Sequence, residues 1–405
     1  MPEHPYRWLV LAGCWLNYFI FGLSITGLAP LVVLIMPELS ISASAMGAVL
    51  GAWQFVYIFV AIPLGLVLHR FGPGRMLVLG AAIIAASGFL RAEVTSHLAL
   101  LAAVALFGLG GPILSAGIPQ TIGRWFTGPE RGLAMGIYIT GPAIAGIIAY
   151  SSTHAVLLPW LEGDWRAVLR VWAWFAVFAS GAWFAIWLGG RRLLAGQGNF
   201  PSSPEAGAGS GLAAARQMLT DRTVVLLLAV AIGSFTIDHG LRNWLPEIIR
   251  AQGHSPAAAG FLATIPVVMG VVSALVFPRL AVPARRALIL RILFALSAAG
   301  LVLLHGWTPW LLVAGLVLAG LASGAMMTVS LLTLIEQRVV GPGRAGLAGG
   351  LFFSVAEIGG VGGPVLIGVV RDATGGFGPA LWLLAGVACG LFATTYAIFR
   401  RSFPR

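Results

Sequence analysis

Apolar positions in this chain neither alternate with period two nor form one narrow helical stripe. They run in long blocks broken by short clusters of Gly, Pro, Ser, Thr and Arg. A helix crossing ~30 Å of hydrocarbon needs ~20 mainly apolar residues. The blocks fall at about 8–35, 45–68, 76–92, 97–123, 132–153, 167–189, 223–249, 257–278, 287–305, 309–335, 345–370 and 379–399, each near that length. The pattern predicts an all-α integral membrane protein of twelve spans. The first block, Trp8 to Met36, is far longer than a signal-peptide core and reads as a retained span.

Composition agrees. Hydrophobic residues make up 59% of the chain and charged residues 9%, against ~25% charged in an average soluble domain. So few charges cannot solvate a globular surface of this size. The net charge of +11 does not indicate nucleic acid, because the bases are not clustered on one soluble face. They sit singly or in pairs between apolar runs, and all of them are Arg. Cys14 and Cys389 lie in apolar runs without metal or redox spacing and read as buried small hydrophobes.

An even number of spans puts both termini on one side. Of the 24 bases, all but Arg91, Arg166, Arg170, Arg242, Arg250 and Arg371 then fall on the side of the termini. The positive-inside rule makes that side cytoplasmic and the membrane a cell (inner) membrane. The one long polar stretch, 190–222, is rich between Gln197 and Ala215 in Gly, Ser, Ala and Pro. It reads as a flexible linker. It divides the chain into a six-helix bundle over 1–189, a cytoplasmic linker over 190–222 and a second six-helix bundle over 223–405.

The halves repeat a motif. Gly128-Pro129-Glu130-Arg131 leads into Gly132-Leu133-Ala134-Met135-Gly136, and Gly341-Pro342-Gly343-Arg344 leads into Gly346-Leu347-Ala348-Gly349-Gly350. Both precede the fifth span of their half. Such duplication places a binding site at the interface of the halves, near mid-membrane.

Six plus six spans, a basic linker and a Gly-rich loop after span two resemble the major facilitator superfamily. In the loop, Gly65, Arg70, Gly72 and Arg75 fit the family's Gly-x-x-x-Asp-Arg-x-Gly-Arg-Arg pattern, and His69 stands where Asp is usual. The resemblance implies a pseudo-twofold pair of bundles and a gating role for these residues. Gly136 to Gly146 resembles the family's Gly-x-x-x-x-Gly-Pro-x-x-x-Gly pattern. There Gly141 and Pro142 would permit close helix approach and a bend. Gly88-Phe89-Leu90-Arg91 and Trp244-Leu245-Pro246-Glu247 also resemble the cyanate and nitroimidazole permease branch, although Asn17 is not followed by the Arg usual there.

An ionisable residue at bilayer depth is a functional candidate. Glu357 lies near the middle of span eleven with no cation beside it in sequence. An isolated carboxylate at that depth is expensive, which suits a group that loads and releases a proton. Asp238 and Arg242 are four apart and can pair on one face of span seven; Asp238 and His239 are further proton-coupling candidates. Arg91, with Glu93 close by, reads as a snorkelling interfacial side chain, and Trp165 and Trp172 as interfacial belt residues. Substrate-binding candidates are Asn17, Tyr18, Trp53, Gln54, Tyr57, Gln120, Tyr138, Thr140, Arg242 and Trp244.

The chain therefore reads as a secondary active transporter, not an enzyme. It would move a small solute, an organic or inorganic anion by preference, through alternating access of two halves coupled to protons. A uniporter, or a proton antiporter exporting a neutral or amphipathic compound, is the alternative. A polytopic membrane enzyme lacks support: neither a diphosphate-binding acid cluster nor His-Glu-x-x-His occurs in the sequence. The expected partners are the substrate, protons and the bilayer, with no metal, cofactor or nucleic acid and a monomeric chain.

Overall fold

The computed structural model describes residues 4–194, 208–341 and 344–402. Within them it is helical, with 12 helices long and apolar enough to cross a membrane. Spans one to six are Tyr6–Glu38, Ala43–Phe71, Pro73–Ala92, His97–Trp125, Gly128–Trp160 and Trp165–Leu194. Spans seven to twelve are Arg222–Arg250, Pro256–Leu280, Arg286–Leu303, Pro309–Ile335, Ala345–Thr374 and Gly378–Ser402.

Side-chain chemistry sets the span ends. Ser42, Ser96 and Thr308 each accept a backbone N–H in the first turn of the span that follows, and Asp221 accepts from Thr223 and Val224 at the start of span seven. Spans two and three meet at Gly72, whose φ of 80° suits only glycine, with Pro73 opening the next helix. Two spans are interrupted. Span one is α-helical to Thr26 and resumes at Val32 after a turn at Ala29–Leu31. Span five ends one helix at Tyr138 and begins another at Thr140.

The chain divides into two compact units, Met1–Phe200 with Pro256–Gly260, and Pro201–Ser255 with Phe261–Arg405. In the first unit the main helix pairings are one with five, one with six, one with four, two with four, three with four and three with six. In the second they are seven with eleven, seven with twelve, seven with ten, eight with ten, nine with ten and nine with twelve. Adding six to each number of the first set gives the second. The repeated turn matches too, since Gly128 and Gly341 both have positive φ, 58° and 68°.

Some expectations from the sequence do not hold. The stretch from Gln197 to Ala215 is not linker-like throughout: a helix runs over Ala208–Thr220 and buries Ala214 and Met218, because Ala, Leu, Gln and Met there favour helix over coil. Residues 195–207 lie outside the described residues. Cys389 is exposed rather than buried, unlike Cys14; an apolar exposed position on a membrane helix has lipid as its solvent. Trp165 is buried and donates its indole N–H to Glu38, so it is not a belt residue.

Candidate functional site

Candidates in the first unit gather around an aromatic cluster. Trp53 lies 5.3 Å from Phe107 and 6.2 Å from Tyr57, and Phe21 lies 5.5 Å from Phe107. Tyr18 joins through Phe21 at 5.2 Å and meets Tyr138 at 5.1 Å. The Tyr57 hydroxyl is 3.4 Å from that of Ser115. Spans one, two, four and five thus bring Tyr18, Trp53, Tyr57 and Tyr138 together. The sequence does not single out Phe21 and Phe107, because Phe within an apolar run carries no signal of its own.

Other candidates are used differently. Asn17 is wholly buried and donates to the Gly13 carbonyl of its own helix at 2.8 Å. Thr140 accepts the Trp15 indole N–H at 2.9 Å, which ties span five to span one beside its break. Gln54 is also buried, whereas Gln120 is exposed near the end of span four.

The proposed gating residues have distinct structural roles. Gly22 packs directly on Pro142, and a Cβ on Gly141 would lie 3.0 Å from the Phe19 nitrogen, so spans one and five touch backbone to backbone. Arg70 and Arg75 are exposed, and the Arg70 guanidinium stacks 5.6 Å from the Phe71 ring. The Trp183 indole donates to the Gly74 carbonyl at 2.9 Å, which anchors the turn after Gly72 to span six. The side chain of His69 lies outside the described residues.

In the second unit, Asp238 and Arg242 form the expected pair at 3.1 Å. The His239 ring lies 5.3 Å from that of Phe235, tilted by 44°. Trp244 is wholly buried and donates to the Pro364 carbonyl of span eleven at 2.9 Å. Glu357, 6% exposed, lies near the midpoint of span eleven, and its Oε2 is buried without a hydrogen-bond partner among the described residues. Spans seven and eleven run so close here that Gly359 sits against the backbone at Ile232 and Thr236.

Arg91 departs most from expectation. It does not snorkel: it is 3% exposed and donates Nη1 to the Ser24 carbonyl at 2.8 Å. The reason is the break in span one, which leaves carbonyls at its helix end for a buried cation to satisfy. The arrangement as a whole can carry charge and polar groups inside an apolar bundle; no group of His, Cys, Asp and Glu suited to a metal occurs among the described residues.

The chain is similar along most of its length to known transporters. It is 26% identical to the quinolone resistance transporter of Acinetobacter baumannii over 90% of this chain and 87% of that one. It is 27% identical to the probable galactarate/D-glucarate transporter of Bacillus subtilis over 89% of this chain and 83% of that one. Among solved structures, the nucleoside transporter NupG superposes with a TM-score of 0.79 at 15% identity, covering 97% of this chain and 100% of that one, a likeness of fold alone. The sequence model of the Major Facilitator Superfamily matches residues 14–364, and with twelve apolar helices in the same fold this chain belongs to that superfamily and is a multi-pass membrane transporter.

Proposed function

We propose that the protein is a proton-coupled secondary transporter of a small organic anion. It works by alternating access of two six-helix halves, 1–189 and 223–405, joined by the linker 190–222. It resides as a monomer in the inner membrane with both termini cytoplasmic, the orientation favoured by its Arg distribution. The observation that carries the coupling is Glu357, a carboxyl buried at mid-span with an unpartnered Oε2. Burying an ionised carboxylate without partners is costly, so a proton taken up in one state and released in another resolves its chemistry. The organic-anion substrate is supported by the galactarate/D-glucarate relative.

A second reading has its own support. The quinolone resistance relative and the Tyr18–Trp53–Tyr57–Tyr138 cluster favour export of an amphipathic compound against protons. Purified protein in liposomes separates the two. With the outside acidic and the lumen alkaline, labelled D-glucarate accumulates in the lumen, and collapsing the gradient releases it. No accumulation of organic acids, together with gradient-driven movement of a quinolone, selects the exporter.

A further inference from the structure

We propose that Arg91 and Trp172 form a buried carboxylate-binding subsite against the break in span one. This rests on the organic-anion reading and names the groups that would take the charge.

The Arg91 guanidinium uses only one of its corners. Nη1 binds the Ser24 carbonyl, while Nε and Nη2 are buried without a hydrogen-bond partner among the described residues. Those two nitrogens form one edge of the planar fork, and their N–H groups point the same way. That edge matches the two oxygens of a carboxylate. The plane lies over the Phe107 ring, 5.6 Å from its centre, which ties Arg91 to the aromatic cluster described above.

Trp172 supplies a further donor. Its Nε1–H is buried and unpartnered, and its ring lies against Gly27, where a Cβ would come within 3.5 Å of Cδ1. Gly27 is one turn beyond Ser24, so Arg91 and Trp172 reach the same short stretch of span one from spans three and six.

No protein carboxylate answers Arg91 among the described residues. Of the acids at that end, Glu38 pairs with Arg166, Glu93 and Asp164 pair with Arg170, and Glu162 lies exposed in the turn between spans five and six. A buried cation without a counter-ion is costly. Capping one carbonyl does not require a guanidinium, still less one whose bidentate edge is buried without a partner. A substrate carboxylate would complete the charge and the hydrogen bonds together.

The test is equilibrium binding of D-glucarate, tartrate and lactate to the full-length protein in detergent, with galactitol as the uncharged comparison. Wild type binds at least one acid and not galactitol. Arg91→Gln, which keeps a donor for Ser24 but no charge, weakens that acid about 100-fold. Trp172→Phe weakens it up to about 10-fold. If Arg91→Gln does not fold, Arg91→Lys and Trp172→Phe decide, and both must weaken binding. An acid bound equally well by folded variants, with only the melting temperature changed, overturns the subsite and leaves the organic-anion reading standing. A wild type that binds none of the acids overturns that reading and the subsite with it.

Discussion

The Trp244 indole N–H and the Pro364 carbonyl are 2.9 Å apart and join spans seven and eleven inside the second unit. The Trp244 ring is wholly buried and also meets Phe377 at 5.7 Å. A residue that looks like a ligand contact in the sequence is thus engaged in holding two helices together. Trp244→Phe should cost about 1–3 kcal/mol, through a lost hydrogen bond and a small void. Substrate affinity should stay within about 3-fold, a change below ~1 kcal/mol. Melting curves and binding on the same sample check both.

The same interface sets a second expectation. Gly359 faces the span-seven backbone, with the Thr236 nitrogen 2.9 Å from where a Cβ would sit. Gly362, on the same helix, has nothing within 4 Å among the described residues. Gly359→Ala should destabilise by about 1–3 kcal/mol through overpacking, whereas Gly362→Ala should be neutral or slightly stabilising, since Ala favours helix. Thermal unfolding of the two variants side by side decides it. Equal behaviour would mean the spans separate at no cost.

Glu357→Gln keeps the shape of the side chain and fixes its neutral form. Reconstituted variant protein should lose accumulation driven by a pH gradient yet retain counterflow exchange of the same substrate. Retention of wild-type gradient dependence would move coupling to Asp238 and His239, or remove protons from the cycle.

The turn between spans two and three offers a contrast between two motif glycines. Gly72 has φ 80° and ψ 148°, a conformation that costs a residue with a Cβ about 1–3 kcal/mol. Gly65 lies inside a helix, and a Cβ there meets nothing within 4 Å among the described residues. Gly72→Ala should therefore reduce the level of folded protein, and Gly65→Ala should not. Detergent-solubilised yield and melting temperature report the difference.

The number and order of spans were legible in the sequence because lipid imposes a length and an apolar composition on every crossing helix. The repeated Gly-Pro turn was legible for a related reason, since a positive φ narrows the residue choice to glycine at Gly128 and Gly341. The Asp238–Arg242 pair was readable from spacing along a single helix. Contacts between helices were not. Whether Arg91 reaches a headgroup or turns inward depends on a break in span one and on the carbonyl that the break leaves at Ser24. Whether Trp244 meets solvent or Pro364 depends on how closely glycines let spans seven and eleven approach. In a chain this apolar, both faces of most spans are largely apolar, so hydrophobic pattern alone does not say which face meets lipid and which meets protein. Tertiary packing decides that, through backbone proximity and the need to satisfy each buried polar group.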